Sequence, residues 1–327
     1  MKVKHFLFIS LLTLFGFVLG GCGTTPATNE PTTETPTTEN ATPEMRTVTV
    51  ADVDYEIPAH PERVIVYEGF IGSAVALDVP IVGAGIREGF DYTYLGDLSG
   101  IENVGTPISV EKALELEPDL IITYDDSNIE QLRQIAPVVF IPYGYATTIQ
   151  EDITLLGDIF NKQAEAATWL TNLENEAAEL RAKIEEVVPA DSTFGLYEIM
   201  GTSLYVYGDG FGRGGQAIYN LLGLQAPARI VEDVINGDQW MELSYEVLPE
   251  YAADFMFLFT EIEGSKEETL ARIMDQNPVW ATLEAAKNNR IIISDSKVFH
   301  HWDPLAIQFQ MRLMADEIIQ HVTATAE

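Results

Sequence analysis

The stretch Lys162–Val187, KQAEAATWLTNLENEAAELRAKIEEV, decides the fold. Its apolar residues recur at the 3.6-residue period of a helix: Trp169, Leu173, Leu180, Ile184 and Val187. Some 25 residues make roughly 38 Å of helix, enough to run the height of a domain. Pro189 ends the pattern because proline cannot continue a helix. One long helix in the middle of the chain predicts a rigid connection between two lobes.

On both sides of this helix, short β-branched runs alternate with helical stretches, which is typical of an α/β fold with mostly parallel sheets. The predicted strands are Val64–Tyr67, Ile81–Ala84, Leu120–Thr123 and Val138–Ile141 before the helix, and Phe194–Ile199, Ser203–Tyr207, Phe255–Phe259 and Arg290–Ser294 after it. We expect an N-terminal α/β lobe over residues 47–161, a bridging helix over 162–188 and a C-terminal α/β lobe over 189–327. Each lobe is expected to have a mostly parallel central sheet flanked by helices.

The two halves of the chain share a pattern of polar residues. Ser109-Val110-Glu111 is followed by Asp119 and a predicted strand, and Ser244-Tyr245-Glu246 is followed at the same spacing by Asp254 and a strand. Ser-x-Glu suits a helix N-cap with an acid in the first turn. The repeated pattern favours two related lobes.

The N-terminus has the form of an export signal. Lys2 and Lys4 precede the apolar run Phe6–Leu19, and about 14 helical residues span only ~21 Å of a ~30 Å hydrocarbon core. Residues 1–21 are therefore a predicted signal peptide. Leu19-Gly20-Gly21-Cys22 resembles a bacterial lipobox, at which the thiol receives fatty acyl chains such as palmitate and the chain is cut before Cys22. The alternative is an ordinary signal peptide with an incidental cysteine.

The segment after Cys22 is rich in Thr, Pro, Glu, Asn and Ala, and residues 23–44 have no large apolar side chain. Such a segment cannot offset its ordering entropy, so residues 22–46 are expected to be a lipidated cysteine and a disordered tether. A lipid followed by a tether predicts a protein anchored to the cell membrane and facing the extracellular side, as in a Gram-positive-type lipoprotein.

The charge excludes several kinds of partner. The chain has 51 Asp and Glu against 18 Lys and Arg, a net charge of −33. This excess repels a nucleic-acid backbone, and it excludes a polybasic membrane anchor. The single cysteine excludes an internal disulfide framework and a thiolate zinc cluster. The 46% of hydrophobic residues is enough for one large core or two moderate ones.

Catalysis and metal binding find little support. The sequence has no G-x-S-x-G elbow, and the adjacent His300 and His301 would point apart on a helix or a strand. Gly210–Gly215 formally fits G-x-G-x-x-G, but the helix that follows is short and an exported protein has no NAD supply. We expect no cofactor and no enzymatic activity. The segment is better interpreted as a glycine turn that presents Phe211 and Arg213 outward; the alternative for Arg213 is a surface salt bridge.

Aromatic residues with polar tips lie near the ends of predicted strands: Tyr143, Tyr145, Tyr197, Tyr205, Trp240 and Trp302. Tyr and Trp combine apolar area with a hydrogen-bonding group, which suits a cleft for a bulky amphipathic ligand. The alternative for each of them is a place in the core.

Several motifs together resemble one family, the substrate-binding lipoproteins of bacterial iron–siderophore ABC importers. They are Pro61-Glu62-Arg63-Val64-Ile65-Val66, Asn103-Val104-Gly105, Leu116-Glu117-Pro118-Asp119-Leu120, Trp240-Met241-Glu242-Leu243-Ser244, Asn277-Pro278-Val279-Trp280 and Trp302-Asp303-Pro304-Leu305. Within that family, Phe211-Gly212-Arg213-Gly214-Gly215 followed by Leu221-Leu222-Gly223-Leu224 looks most like the ferric-hydroxamate binders.

The resemblance implies a shallow ligand cleft between two lobes that are joined by one long helix. It implies that Arg213 donates hydrogen bonds to the oxygens around iron, while Phe211 packs on the ligand at a position where Trp is common. Tyr143 or Tyr145 would face it from the first lobe. It further implies that Glu111 and Glu246 dock on arginines of an ABC permease; their other reading is stabilisation of helix N-termini.

Charge helps to choose among ferric ligands. A ferric tris-catecholate carries about three negative charges, and only Arg87, Arg213 and Arg229 lie near predicted loops of an otherwise acidic body. Ferric hydroxamates are neutral or cationic and are preferred here. The alternatives are a catecholate, ferric citrate, haem or cobalamin for the same type of importer, and outside transport an extracellular chelate-processing enzyme or a surface sensor. We expect a monomer.

Overall fold

The computed structural model describes residues 44–210 and 212–325. The predicted signal peptide, Cys22 and nearly all of the predicted tether lie outside the described residues. The first strand begins at Met45, two residues before the expected start of the N-terminal lobe. No helix within the described ranges is both long enough and apolar enough to cross a membrane.

The N-terminal lobe has an antiparallel hairpin followed by a parallel five-stranded sheet in the order β5-β4-β3-β6-β7. The strands are β1 (Met45–Val50), β2 (Val53–Pro58), β3 (Val64–Val66), β4 (Ile81–Ala84), β5 (Glu102–Asn103), β6 (Leu120–Thr123) and β7 (Val138–Phe140). The helices are α1 (Ile71–Ala76), α2 (Val110–Leu116), α3 (Ile129–Leu132) and α4 (Ile149–Phe160). The hairpin was not predicted. Strand β5 was not predicted either, because it is only two residues long.

The predicted bridging helix is α5, Gln163–Glu185, which ends before Pro189 as expected. Leu173, Leu180 and Ile184 are buried along its inner face. Trp169 packs against the hydrophobic cores of both lobes. The apolar stripe therefore joins the two cores, as the periodicity predicts.

The C-terminal lobe has a second five-stranded sheet, in the order β10-β9-β8-β11-β12. Its strands are β8 (Phe194–Met200), β9 (Ser203–Tyr207), β10 (Trp240–Leu243), β11 (Phe255–Thr260) and β12 (Ile291–Asp295). Its helices are α6 (Ala228–Ile230), α7 (Lys266–Gln276), α8 (Val279–Thr282), α9 (Glu284–Lys287) and α10 (Pro304–Thr325), with π-helical segments at Gln216–Leu221 and Val231–Ile235.

The two-lobe α/β fold is thus confirmed, with one difference in the second sheet. That sheet is mixed rather than mostly parallel, because a tight turn with Gly201 at φ 60° reverses the chain between β8 and β9. Strand β10 then adds to β9, again antiparallel. Strands β8, β11 and β12 remain parallel.

A second long helix, α10, was not predicted. It packs against α5 and against α1 and α4 of the N-terminal lobe, and Arg312 donates from Nη2 to Oε2 of Glu176 on α5 over 2.8 Å. Its apolar residues face more than one neighbour, so they form no single stripe that periodicity could detect. The lobes are therefore held together by two helices.

The repeated polar pattern has a structural basis in its aspartates. The Asp119 carboxylate accepts hydrogen bonds from the backbone N–H groups of Glu62 (2.6 Å) and Arg63 (2.9 Å), just before β3. The Asp254 carboxylate accepts from the backbone N–H (2.9 Å) and hydroxyl (2.8 Å) of Thr193, just before β8. In each lobe the aspartate ties its own strand to the parallel neighbour, which supports related lobes.

The helix N-cap interpretation holds in one lobe only. The Ser109 side chain caps α2 by accepting from the backbone N–H of Lys112 over 3.4 Å. Ser244 is followed by a turn and by the short 3-10 segment Leu248–Glu250, which contains Pro249. For Ser244 the N-cap prediction was wrong, because proline removes a backbone donor where an α-helix would need it.

Candidate functional site

A cleft lies where the carboxyl ends of the parallel strands of both lobes face each other, the usual ligand position in open α/β sheets. The interlobe cavity has a volume of about 410 Å³, within the ~300–1,000 Å³ range of small-molecule sites. Its lining comprises Glu68, Arg87, Tyr124 and Tyr143 from the N-terminal lobe, and Arg213, His300 and Trp302 from the C-terminal lobe.

An aromatic wall spans the two lobes. The ring of Tyr143 lies edge-on to Tyr124, with centroids 5.6 Å apart, and edge-on to Trp302 at 6.2 Å. Tyr143 is 68% exposed, so most of its surface is open to a ligand. Tyr145 is 46% exposed but does not line this cavity. The structure therefore brings Tyr143 and Trp302 together in the cavity and places Tyr145 outside it.

The glycine turn directs Arg213 inward. Gly212, Arg213 and Gly214 all have positive φ values, 38°, 54° and 78°, and a non-glycine residue in that region is uncommon. A side chain at Gly215 would place its Cβ 2.1 Å from the carbonyl oxygen of Gly208. The sharp turn points the Arg213 side chain back toward the sheet, so the expectation of an outward-facing arginine was wrong.

Arg213 forms a buried ion pair with Glu198. Its Nε lies 2.7 Å from Oε2 of Glu198, and the two side chains are only 11% and 3% exposed. The Tyr207 hydroxyl donates to the same oxygen over 2.7 Å, and burial raises the pKa of Tyr207, which keeps it a donor. The Tyr207 hydroxyl is also hydrogen-bonded to Arg213. Arg213 lines the interlobe cavity, where its guanidinium can donate to the oxygens of a ligand.

Arg87 is also paired with a carboxylate. Its Nη2 lies 2.5 Å from Oε1 of Glu68, and the Tyr124 hydroxyl donates to that oxygen over 3.0 Å. Arg229, the third arginine near a predicted loop, pairs with Asp233 at 2.8 Å and does not line the interlobe cavity. Each arginine of the cavity is thus neutralised by its own glutamate.

Two histidines join the lobes beside the cavity. The His300 ring lies 4.2 Å from that of Phe90, and the His301 ring 4.5 Å from that of Tyr92. Burial lowers the pKa of each histidine to about 4, and for His300 the nearby Arg213 adds to this effect. Both are neutral at neutral pH. Over the described ranges, no group of three or more His, Cys, Asp or Glu side chains could hold a metal ion.

Besides Tyr145, two predicted ligand-binding residues lie elsewhere. Tyr197 is fully buried and donates to the carbonyl oxygen of Tyr251 over 2.5 Å; neighbouring strand residues face opposite sides, so Glu198 reaches the cleft and Tyr197 cannot. That prediction was wrong. Trp240 is 45% exposed on the edge strand β10, where it packs against Tyr205, and does not line the interlobe cavity. Phe211 lies outside the described residues.

Sequence reasoning missed several cavity residues, among them Glu68, Tyr124 and His300. Glu68 and Tyr124 come directly after predicted strands, so the rule that ligands bind at the carboxyl ends of parallel strands was the signal that could have found them. The sequence offers no such signal for His300. Glu111 and Glu246 are both exposed, one on each lobe, and their docking role stays a prediction.

Behind the cavity lies a buried acidic contact between the lobes. Asp303 accepts from the backbone N–H of Ala306 at the start of α10 (3.1 Å) and from the Tyr94 hydroxyl of the N-terminal lobe (2.5 Å). Asp152 on α4 accepts from the Ser73 hydroxyl. Burial raises the pKa of Asp303 to about 6 and, together with the Asp303 charge, that of Asp152 to about 7. Both carboxyl groups therefore bind their protons more tightly in the folded protein than in the unfolded chain.

The raised pKa of Asp152 predicts a pH dependence of stability. The folded protein holds this proton up to about pH 7, while the unfolded chain releases it near pH 4. Between those values the folded state binds more protons, so the free energy of unfolding falls as pH rises. Asp152→Asn removes this contribution, and we expect its unfolding free energy to fall less than that of the parent between pH 5 and pH 8. Denaturant titrations at both pH values test this, and equal losses in the two proteins would contradict it.

Comparison with known proteins gives the family. Residues 101–298, more than half of the chain, match the model of a periplasmic binding protein family, Peripla_BP_2. The iron(3+)-hydroxamate-binding protein YxeB of Bacillus subtilis is 34% identical over 319 residues, which cover 97% of this chain and 97% of the relative. The chain belongs to this periplasmic binding protein family.

Solved structures of binding proteins share its fold. A FhuD fold-family protein of Bacillus subtilis, described as a periplasmic binding protein component of a Fep/Fec-like ferrichrome ABC transporter, is 30% identical with a TM-score of 0.74, covering 84% of this chain and 100% of that one. FhuD2 from Staphylococcus aureus with bound ferrioxamine B is 25% identical with a TM-score of 0.69, covering 80% and 100%. The resemblance drawn from the sequence motifs is confirmed.

Proposed function

We propose that this periplasmic binding protein captures a ferric siderophore of the hydroxamate type in its interlobe cavity and delivers it to an ABC permease for iron uptake. The observation that carries the proposal is the paired charge of the cavity: Arg87 with Glu68 and Arg213 with Glu198. A trianionic ferric catecholate needs unpaired positive charge, whereas a neutral or cationic ferric hydroxamate does not. The aromatic wall suits the alkyl segments of such a ligand.

The relatives support the same ligand class. YxeB is an iron(3+)-hydroxamate-binding protein, and FhuD2 is solved with a ferric hydroxamate, ferrioxamine B. We further propose that the protein acts without a cofactor and without catalysis. Cys22 would hold the mature chain on the outer side of the cell membrane through its lipid, as a monomer.

The two neighbouring tyrosines provide a matched test of the cavity. Tyr143→Ala removes a ring from the aromatic wall, and a lost aromatic contact costs about 0.5–1.5 kcal/mol, so we expect the affinity for ferrioxamine B to fall several-fold. Tyr145→Ala removes an equally large exposed side chain outside the cavity and should leave affinity within about twofold. Calorimetric titration of both variants measures this. Equal losses in the two, or a larger loss for Tyr145→Ala, would refute the assignment of the cavity.

Delivery to a permease predicts a separation of transport from binding. The exposed Glu111 and Glu246, one on each lobe, would pair with permease arginines. We expect Glu111→Lys/Glu246→Lys to abolish iron uptake from ferrioxamine B and co-purification with the permease, with ferrioxamine B affinity unchanged. The control is Glu115→Lys/Glu250→Lys, which makes the same charge change at exposed neighbours. Normal uptake by the first variant would exclude docking through these glutamates.

A further inference from the structure

A second cavity, with a volume of about 730 Å³, adjoins the interlobe cavity. We name it the C-terminal compartment and define it by Met200, Thr202, Thr260, Arg272, Trp280 and Ser296. Arg213 and His300 line both cavities, and Glu198 lines the compartment behind Arg213. The Arg213–Glu198 ion pair is therefore the partition between the two spaces.

The compartment lies at the carboxyl ends of β8, β11 and β12, on the same side of the sheet as the interlobe cavity. It contains Met200 from the end of β8, Thr260 from the end of β11, and Ser296 just after β12. It is also lined by Gly201, in the turn after β8. It is an extension of the cleft along the C-terminal lobe.

Its lining combines an apolar floor with neutral hydrogen-bonding groups. Met200, which is 45% exposed, forms the open part of this floor, and the buried Ile273 and Trp280 lie beneath it. The hydroxyls of Thr202 and Ser296 and the amides of Gln276 and Asn277 supply both donors and acceptors. This mixture suits a chain in which alkyl segments alternate with amides.

The charges of the compartment balance. Arg272 lies 2.7 Å from Glu263 and Arg213 lies 2.7 Å from Glu198, measured between the nearest nitrogen and oxygen of each pair. The remaining charged side chains of its lining are one acid, Glu261, and one base, Lys297, and both are exposed. The compartment therefore has no excess of positive or negative charge. A charged ligand group that entered it would lose its hydration without gaining an unpaired opposite charge.

We propose that the C-terminal compartment binds an uncharged, amide-containing arm of a ferric hydroxamate whose iron centre occupies the interlobe cavity. This rests on the proposed function and adds the part of the ligand that lies beyond Arg213. The protein then distinguishes ligands with a free arm from compact macrocycles that share the same iron centre.

The test uses three ferric complexes with the same trihydroxamate core. Ferrioxamine E is a macrocycle without a free arm, N-acetylferrioxamine B has a neutral amide arm, and ferrioxamine B has a cationic arm. Ser296→Trp fills the compartment from one wall, and Thr202→Trp, on an exposed turn, fills it from another. Ser99→Trp, on an exposed turn of the other lobe, is the matched control. Affinities are measured by calorimetry, and unfolding midpoints verify that each variant is folded.

We expect either blocking variant to lower the affinity for N-acetylferrioxamine B at least tenfold and the affinity for ferrioxamine E less than twofold. Ser99→Trp should change neither affinity. Equal losses of affinity for the two ligands, or no loss in either variant, would overturn the proposal that the compartment binds an arm of the ligand. The proposed function would still stand. A tenfold preference of the parent protein for ferrioxamine B over its acetylated form would overturn the proposal that the bound arm is uncharged. Failure of the parent to bind any of the three complexes would instead overturn the proposed function.

Discussion

Arg213→Ala is expected to lower the affinity for ferrioxamine B by at least tenfold. Arg213 lines the interlobe cavity, where its guanidinium can donate to ligand oxygens, and a charge-assisted hydrogen bond contributes about 1.5–3 kcal/mol. The same substitution should also destabilise the fold. It leaves the Glu198 carboxylate, 3% exposed, without its cation, and breaking a buried ion pair from one side costs roughly 3–5 kcal/mol.

A second substitution separates the two effects. Arg213→Ala/Glu198→Gln removes both charges and keeps an acceptor for the Tyr207 hydroxyl, so it should recover most of the lost unfolding free energy but none of the lost affinity. Calorimetric titration and denaturant unfolding of both variants give the two quantities. An affinity for ferrioxamine B within twofold of the parent in either variant would remove Arg213 from the binding site.

Gly72→Ala is expected to reduce the unfolding free energy by about 2 kcal/mol or more, since overpacking a well-packed interior typically costs 1–3 kcal/mol. A Cβ on Gly72 would lie 1.6 Å from Oδ1 of Asp303. Asp303 cannot move aside freely, because its carboxylate holds the Ala306 N–H and the Tyr94 hydroxyl of the other lobe. The methyl group would therefore push apart α1 and the start of α10, and with them the two walls of the cleft.

Thermal and denaturant unfolding measure this loss. Gly100→Ala is the control, because a Cβ there meets no atom within 4 Å and its φ is not positive. Asp303→Ser in the Gly72→Ala background shortens the opposing side chain and should recover part of the stability. A Gly72→Ala protein as stable as the Gly100→Ala protein would show that this contact does not hold the lobes together.

Much of the fold follows from local sequence pattern. The strands that form the centres of both sheets are continuous β-branched or aromatic runs because they are buried on both faces, and such runs are visible without tertiary information. The bridging helix has one apolar stripe because it lies across both cores at their surface. By contrast, α10 has apolar residues on several faces, and β10 owes its place to pairing with β9 rather than to its own sequence.

The site can be predicted from the sequence less completely than the fold, because it too depends on tertiary packing that local sequence does not show. Tyr143, Trp302, Arg87 and Arg213 line the cavity. Arg87 and Tyr143 follow parallel strands, whose carboxyl ends converge at one edge of the sheet, whereas Arg213 follows the antiparallel strand β9. Which way a side chain points depends on pleat and turn geometry. Tyr197 is one position before Glu198 on β8, so it faces the opposite side of the sheet and lies in the core. The positive φ values around Arg213 direct its side chain to Glu198, which lies outside the glycine motif.

Binding of a ferric hydroxamate in the interlobe cavity is the property on which the other predictions depend. Its most direct test is calorimetric titration of the mature protein with ferrioxamine B and, in parallel, with a trianionic ferric tris-catecholate at the same concentration. The paired arginines predict one saturable site with submicromolar affinity for ferrioxamine B and binding at least a hundredfold weaker for the catecholate. No heat of binding with ferrioxamine B, or tighter binding of the catecholate, would contradict the account.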